Sequence, residues 1–453
     1  MAALPFPSSM PPAGRRYVSL AITGETRYTG TILLPGPAGR REARRNHPMK
    51  TTPRPLGLYI HIPFCRQKCG YCDFYSLAGR EDRMDDYVSA LCAHLAETAP
   101  FAAGHQVDTV YFGGGTPSYL GEKRLTKILK LIQKKYALAK NPEITLEANP
   151  DSAGDWKMLK ALRKAGVNRL SLGMQDAHDD TLREIGRIHT RDQVRAAVAA
   201  ARKAKLENLS LDLIYGLPHQ TLEQWQETLS AAVDLQPEHL SCYGLKVEEG
   251  TPLFVRRETA GLPGDEAQAE MYLYTVEFLA RYGYRQYEIS NFARPGRESR
   301  HNLKYWTLQE YAGFGPGAHS DFGGVRYAYE RDLEGYIRGV RDGSPMLSES
   351  ERIPPLDRDT EWLMLRARLI SGLDPREFET RFRRRFACFL PFLEQCRQAG
   401  YAVEEEGRWH LTPRGFLVSN QIIGGLLEAL AEDKRRRADA AARGDFRVRL
   451  DET

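Results

Sequence analysis

No uninterrupted run of about 18 apolar residues occurs in the 453-residue sequence, so no transmembrane helix is expected. The first residues lack the apolar core of a secretory signal. Charge of one sign is also scarce. A net charge of +5, from 64 basic and 59 acidic side chains, offers little electrostatic basis for a nucleic-acid partner, and none is expected. There is no internal repeat with a sequence signature. Seven cysteines, an odd number, do not suggest a disulfide framework. Three of them cluster, which fits a reducing compartment, and a cytoplasmic location is expected. With 42% hydrophobic and 27% charged residues the chain is globular in composition, and its length has room for two or three domains.

Residues 1–48 stand apart. They are rich in proline, glycine and arginine, poor in acids, and have no helical period. The segment reads as a disordered or unused N-terminal extension, with translation starting at Met49; a mitochondrial presequence is the alternative. From about residue 56 strand and helix patterns alternate. Strands are expected at Leu58–Ile62, Val107–Gly113, Glu143–Ala148, Arg169–Met174, Leu209–Ile214 and His239–Leu245. Helical faces lie between them, among them Asp85–Glu97, Arg124–Tyr136, Trp156–Ala165, Arg191–Ala204, Leu222–Val233 and Glu266–Tyr282. The lysines of Arg124–Tyr136 read as a solvated face. Parallel strands need crossover connections, so six β/α units in series predict an α/β fold, an open (β/α)6 partial TIM barrel over 49–290.

Polar residues gather where such strands end. Immediately after the first strand comes Cys65-x3-Cys69-x2-Cys72. A closed zinc site wants four ligands, and no second Cys or His pair follows. Three thiolates on one short loop instead suit three irons of a [4Fe–4S] cluster, leaving the fourth iron open to a small molecule. Cys92, Cys242, Cys388 and Cys396 sit in apolar patterns and read as buried small hydrophobes. The second strand runs into Gly113-Gly114-Gly115-Thr116-Pro117-Ser118, where missing Cβ atoms let backbone approach a ligand. The third ends with Glu147, the fourth with Gln175, and the fifth carries Asp212.

Beyond residue 290 the character changes. Residues 291–350 read as a basic, aromatic and glycine-rich connection covering the barrel. Residues 351–432 read as a C-terminal winged-helix-like α+β domain, from the order helix, helix, strand, strand, helix. Residues 433–453 read as a polar, frayed tail.

The three-cysteine motif with Tyr71 resembles the radical S-adenosylmethionine (SAM) superfamily. The runs Tyr59-Ile60-His61-Ile62-Pro63-Phe64-Cys65 and Gly-Gly-Gly-Thr-Pro-Ser resemble its oxygen-independent coproporphyrinogen III dehydrogenase group, over roughly residues 56–430. Those enzymes carry a further cysteine two residues after the third ligand, where this chain has Phe74. Phe74 and the run His301-Asn302-Leu303-Lys304-Tyr305-Trp306 resemble instead the haem chaperones of the HemW type.

The resemblance implies a cluster whose open iron chelates SAM and whose electron cleaves it to methionine and a 5′-deoxyadenosyl radical. It implies SAM contacts from Tyr59, Gly114 and Glu147, and a second SAM site from Gly115, Thr116, Gln175, Arg187 and Asp212. It implies haem contact through His301, Tyr305 and Trp306, with His319 as a second candidate ligand. It also implies haem transfer to apo-haemoproteins such as respiratory cytochromes, an electron donor for the cluster, and peripheral contact with membrane-bound acceptors. The competing expectation is radical decarboxylation of coproporphyrinogen III. A radical SAM enzyme with another substrate is a third.

Overall fold

The computed structural model describes residues 53–443 apart from Pro345. The expectations for residues 1–48, for a start at Met49, and for residues 444–453 lie outside the described residues. Six strands form the centre of the sheet: β1 (Arg54–Ile62), β2 (His105–Gly114), β3 (Leu138–Ala148), β4 (Arg169–Gln175), β5 (Asn208–Tyr215) and β6 (His239–Gly244). Neighbours pair in parallel and in chain order. Helices α1 (Met84–Thr98), α2 (Glu122–Lys135), α3 (Trp156–Ala165), α4 (Arg191–Lys203), α5 (Leu222–Asp234) and α6 (Asp265–Arg281) return the chain between or after them.

Local chemistry sets these elements. Helix α2 buries Leu125, Ile128, Leu129 and Ile132 and ends in Lys134 and Lys135, which suit the negative end of its dipole. Helices α4 and α5 begin in capping boxes, Thr190 with Gln193 and Thr221 with Gln224. Helix α3 stops at Gly166, whose positive φ a residue with a Cβ adopts only with strain.

The sheet is larger than the sequence suggested. Among the described residues it has twelve strands and stays open, because its two outermost strands do not meet. Beyond β6 it adds β7 (Arg285–Gln286) and β8 (Asn291–Ala293), with β8 antiparallel between the other two. Beyond β1 it adds β9 (Tyr311–Phe314), parallel to β1, then β10 (His319–Phe322), β11 (Val325–Tyr329) and β12 (Leu347–Arg352) in antiparallel succession. The segment expected to be a covering connection therefore carries strands β8 to β12 and two helices, Arg300–Trp306 and Leu333–Asp342. Its glycines hid this. A Cβ on Gly313 would run into the His319 carbonyl, and Gly315 has φ 106° with a would-be Cβ 2.6 Å from the His61 carbonyl. They are there for a close strand crossing.

The C-terminal part has its own apolar core, built on Trp362, Phe378, Phe382, Phe386, Phe389 and Leu426. Helices at Asp359–Arg366, Pro375–Phe382 and Leu390–Gln398 precede a hairpin, Ala402–Glu405 with Arg408–Leu411, and two more helices follow. The last, Ser419–Ala442, runs through the first part of the expected tail. Alanine-rich sequence favours it, and ion pairs Arg437–Asp433 and Lys434–Asp359 hold it. No helix among the described residues is long and apolar enough to cross a membrane.

Candidate functional site at the barrel rim

Cys65 closes a two-residue strand just after β1, paired with Leu77–Ala78. Its thiol is buried, while those of Cys69 and Cys72 are half-buried, and all three are free. The loop is held from both sides. Gly70 N–H donates to the Ile185 carbonyl at 3.0 Å, and the Gly70 carbonyl accepts from Leu253 N–H at 2.8 Å. Thr116 Oγ1 donates to Cys65 Sγ at 3.4 Å, and Arg187 Nη1 reaches Cys69 Sγ at 3.6 Å. Burial pushes the Cys72 thiol up to about 11 and raises that of Cys65, so ligation releases protons. Among the described residues no three of His, Cys, Asp and Glu converge on one ion. The thiols instead share the wall of one cavity, which suits a cubane whose irons each take a different thiolate.

That cavity has a volume of about 460 Å³ and opens at the C-terminal ends of the strands. Besides the three cysteines, Gly114, Gly115, Thr116 and Glu147 line it, as do Gln175, Arg187 and Asp212. Tyr59 does not. It packs behind Tyr111 at 6.2 Å between ring centroids and hydrogen-bonds His61 Nδ1 at 3.0 Å.

The glycine run is shaped by the cysteine loop. Gly115 N–H donates to the Ile62 carbonyl at 2.8 Å, and Thr116 N–H to the Phe64 carbonyl at 2.8 Å. A Cβ on Gly115 would stand 2.7 Å from the Phe64 carbonyl and 3.0 Å from Cys65 Sγ. Gly114 adopts φ 111°, and a Cβ there would meet the His61 ring at 2.7 Å. Glu147 accepts from Tyr111 OH at 2.7 Å and from Gly114 N–H at 3.2 Å, and burial lifts its carboxyl to about 7. Asp212 is also raised by burial while accepting from Ser171 at 2.9 Å. Gln175 sits at φ 64°, left-handed backbone for a non-glycine at the cavity edge. Arg187 Nη2 donates to Asn149 Oδ1 at 2.7 Å and to the Gly173 carbonyl at 2.9 Å, so its guanidinium is fixed beside Cys69.

The other end of the barrel holds the second motif. Helix α7 (Arg300–Trp306) is capped by Ser299, and Glu143 accepts from Arg300 N–H at 3.1 Å and His301 N–H at 3.0 Å. The His301 ring is fully buried. Its Nδ1 shares a 2.8 Å hydrogen bond with Thr109 Oγ1, and its Nε2 one of 2.8 Å with Tyr305 OH. Burial drives the imidazole down to about 3, so it is neutral. In this arrangement neither ring nitrogen is free for iron, and His301 is not in the wall of the cysteine cavity; its neighbour Asn302 is. Tyr305 lines a second cavity of about 320 Å³ with Tyr311, Arg326 and Met364. Trp306 is half-buried. His319, at the start of β10, is exposed, with Nδ1 3.6 Å from Glu349 Oε1.

Several cavity residues escaped the sequence reading: Tyr111, Asn149, Arg169, Ser171, Ser241 and Tyr243. The signal was there. Parallel strands buried on both faces read as continuous apolar runs. Here β4 alternates Arg169, Ser171, Gly173 and Gln175 inward with Leu170, Leu172 and Met174 outward against the helices. β5 and β6 alternate likewise. Cys242 and Cys396 are buried, and Cys92 and Cys388 pack against the two main cores, as expected of small hydrophobes.

Comparison with known proteins accords with this geometry. The radical SAM superfamily pattern matches residues 59–232, and the HemN C-terminal domain pattern matches 353–418. The Heme chaperone HemW of Bacillus subtilis (strain 168) is 35% identical over 376 residues, spanning 82% of this chain and 99% of that protein. That of Escherichia coli (strain K12) is 36% identical over 374 residues, spanning 82% and 97%. The structure of coproporphyrinogen III oxidase (HemN) from Escherichia coli, a radical SAM enzyme, superposes with a TM-score of 0.72 at 26% identity, covering 83% of this chain and 90% of that one. At that identity, over nearly the whole length of those relatives, the chain belongs to the HemW family of haem chaperones, built on the radical SAM fold.

Proposed function

We propose that this protein binds haem and hands it to apo-haemoproteins such as respiratory cytochromes, on a scaffold that holds a [4Fe–4S] cluster and SAM. The observation that carries the reading is Phe74. It occupies the position of the dehydrogenases' further cysteine and stands 64% exposed in the cavity wall, beside the three thiols. Cys65, Cys69 and Cys72 hold the cluster. Gly114 and Glu147 face the SAM on it, with Tyr59 supporting them from behind, and Gly115, Thr116, Gln175, Arg187 and Asp212 line a second SAM position. When bound, the cluster and SAM supply one-electron chemistry. The carboxylate of Glu147 accepts two hydrogen bonds from a ribose diol.

Haem contact falls to His301, Tyr305 and Trp306. The neutral imidazole of His301 is a competent iron ligand once Tyr305 OH leaves Nε2, and Tyr305 is itself a wall residue of the second cavity. One hydrogen bond thus separates the buried ring from a ligating one. His319 is the alternative ligand. Cytoplasmic residence, an electron donor for the cluster and peripheral contact with membrane-bound acceptors belong to the same reading.

The cysteine cavity also favours a second reading, radical decarboxylation of coproporphyrinogen III, because the residues that reading needs share one wall. Titrating haem into the anaerobically reconstituted protein, with porphyrinogen turnover assayed on the same preparation, separates the two. Stoichiometric haem binding without turnover is expected. Turnover without stable haem binding overturns the chaperone reading.

A further inference from the structure

Arg169, the first residue of β4, is paired through its backbone with Thr145 and Asn208 and points into the barrel. It is 2% exposed, yet its Nε is buried without a hydrogen-bond partner. The acids that face it are engaged elsewhere. Glu143 accepts the two backbone N–H groups at the start of α7, and Asp212 accepts from Ser171 and Ser210. Tyr111 OH is given to Glu147, and Tyr287 OH is shared with His239 Nε2 at 2.8 Å.

A buried guanidinium with an unmade hydrogen bond is costly, because donors have been taken from water without replacement, although the nearby Glu143 and Asp212 favour its cationic form. This one is not sealed away. It lines the cysteine cavity, beneath Ser171, Gly173 and Gln175 on the same inward face, about 20 Å of strand below the rim. A planar fork of donors matches a carboxylate in two parallel hydrogen bonds, and a cavity floor carrying one selects a ligand by that group.

We infer that Arg169 receives the carboxylate of a small molecule lying in the barrel beneath the cluster, through a two-pronged ion pair at the cavity floor. Two molecules could supply that carboxylate: a SAM bound deeper than the one on the cluster, through its methionyl group, or a tetrapyrrole, through a propionate. The inference concerns the carboxylate alone and stands whether or not haem is passed to another protein.

The test compares wild type with Arg169→Met and Arg169→Lys in the full-length, cluster-loaded protein under anaerobic conditions. Binding is measured for four probes: SAM, decarboxylated SAM, haem, and haem dimethyl ester. Arg169→Met is expected to weaken one acid probe at least tenfold and to leave its carboxylate-free counterpart unchanged. Loss for SAM assigns the methionyl carboxylate, and loss for haem assigns a propionate. Equal binding of all four probes by Arg169→Met overturns the inference. So does equal weakening of acid and carboxylate-free probes, or a fall in melting temperature with binding unchanged, which is the mark of a merely structural counter-ion. Should Arg169→Met fail to hold its cluster, Arg169→Lys carries the test, because it keeps the charge but not the fork. Loss of most of the wild-type preference for acid over ester or amine is then expected, and an unaltered preference overturns the inference.

Discussion

The two ends of the barrel use the same inward-facing polar positions to opposite effect. At the rim, left-handed backbone at Gln175 (φ 64°) and Gly114 (φ 111°) borders free thiols on a loop pinned by backbone hydrogen bonds. At the floor, the groups of the second motif are filled. His301 spends both ring nitrogens, Glu143 takes two backbone N–H groups, and buried Lys304 pairs with Asp108 at 2.7 Å. A buried polar group whose partners are all present stabilises the fold as it stands, whereas one left open awaits a partner. Arg169 Nε is left open there, as are Thr145 Oγ1 and Asn208 Oδ1 on the strands beside it. The difference explains why a histidine inside a haem-chaperone motif sits, in this state, as a structural residue.

Substitutions at the rim break the comparison hardest. Replacing Cys65, Cys69 or Cys72 with Ala is expected to abolish the iron–sulfur absorbance, and full iron retention in any one of them would count against the ligand assignment. Gly115→Ala comes next. Its methyl would press on the Phe64 and Ile62 carbonyls and on Cys65 Sγ, so a cost of about 2–4 kcal/mol is expected together with poorer cluster loading. Denaturant midpoints and iron content on one preparation check both.

At the floor the outcome differs in kind. His301→Ala leaves Thr109 Oγ1 and Tyr305 OH without their partner, so about 2–4 kcal/mol of stability should be lost. Haem affinity should fall at least tenfold while cluster iron stays complete. Unchanged haem affinity would move the ligand to His319, whose exposed side chain should cost under about 0.5 kcal/mol on replacement by Ala.

The six strand–helix units were legible because long elements carry a strong period, and Trp156–Ala165 even has the ends its caps imply. The cysteine loop and the strand-end residues were legible because their spacing has few other uses. Three things were not. Strands β9 and β10 are short, with glycines in β9 and in the turn between them, and only the close backbone approach explains Gly313 and Gly315. The filled state of His301 depends on Thr109, which lies far away in sequence and adjacent in space. Arg169 stands in an Arg-Leu-Ser-Leu-Gly-Met-Gln strand whose apolar half, facing the helices, masks the polar half that faces the cavity.

The effect at Glu147 is the most pointed, because one titration moves two observables in opposite directions. Burial lifts Glu147 to about 7 in the folded protein from an ordinary value of 4.5. Between those values the folded state binds more protons than the unfolded state, so this group's contribution to stability falls as pH rises through the window and levels off above about pH 7. Its full extent is at most about 3 kcal/mol. A ligand diol wants the carboxylate, so SAM binding should tighten as pH rises through about 7. Glu147→Gln removes both slopes. It should be the more stable protein at pH 8, draw level near pH 5, and bind SAM weakly with little pH dependence. Melting curves and SAM titrations at those two pH values decide it: parallel slopes in wild type and variant would place the titrating group elsewhere in the cavity, and opposed slopes in wild type alone would tie the rim's open hydrogen-bonding capacity to Glu147.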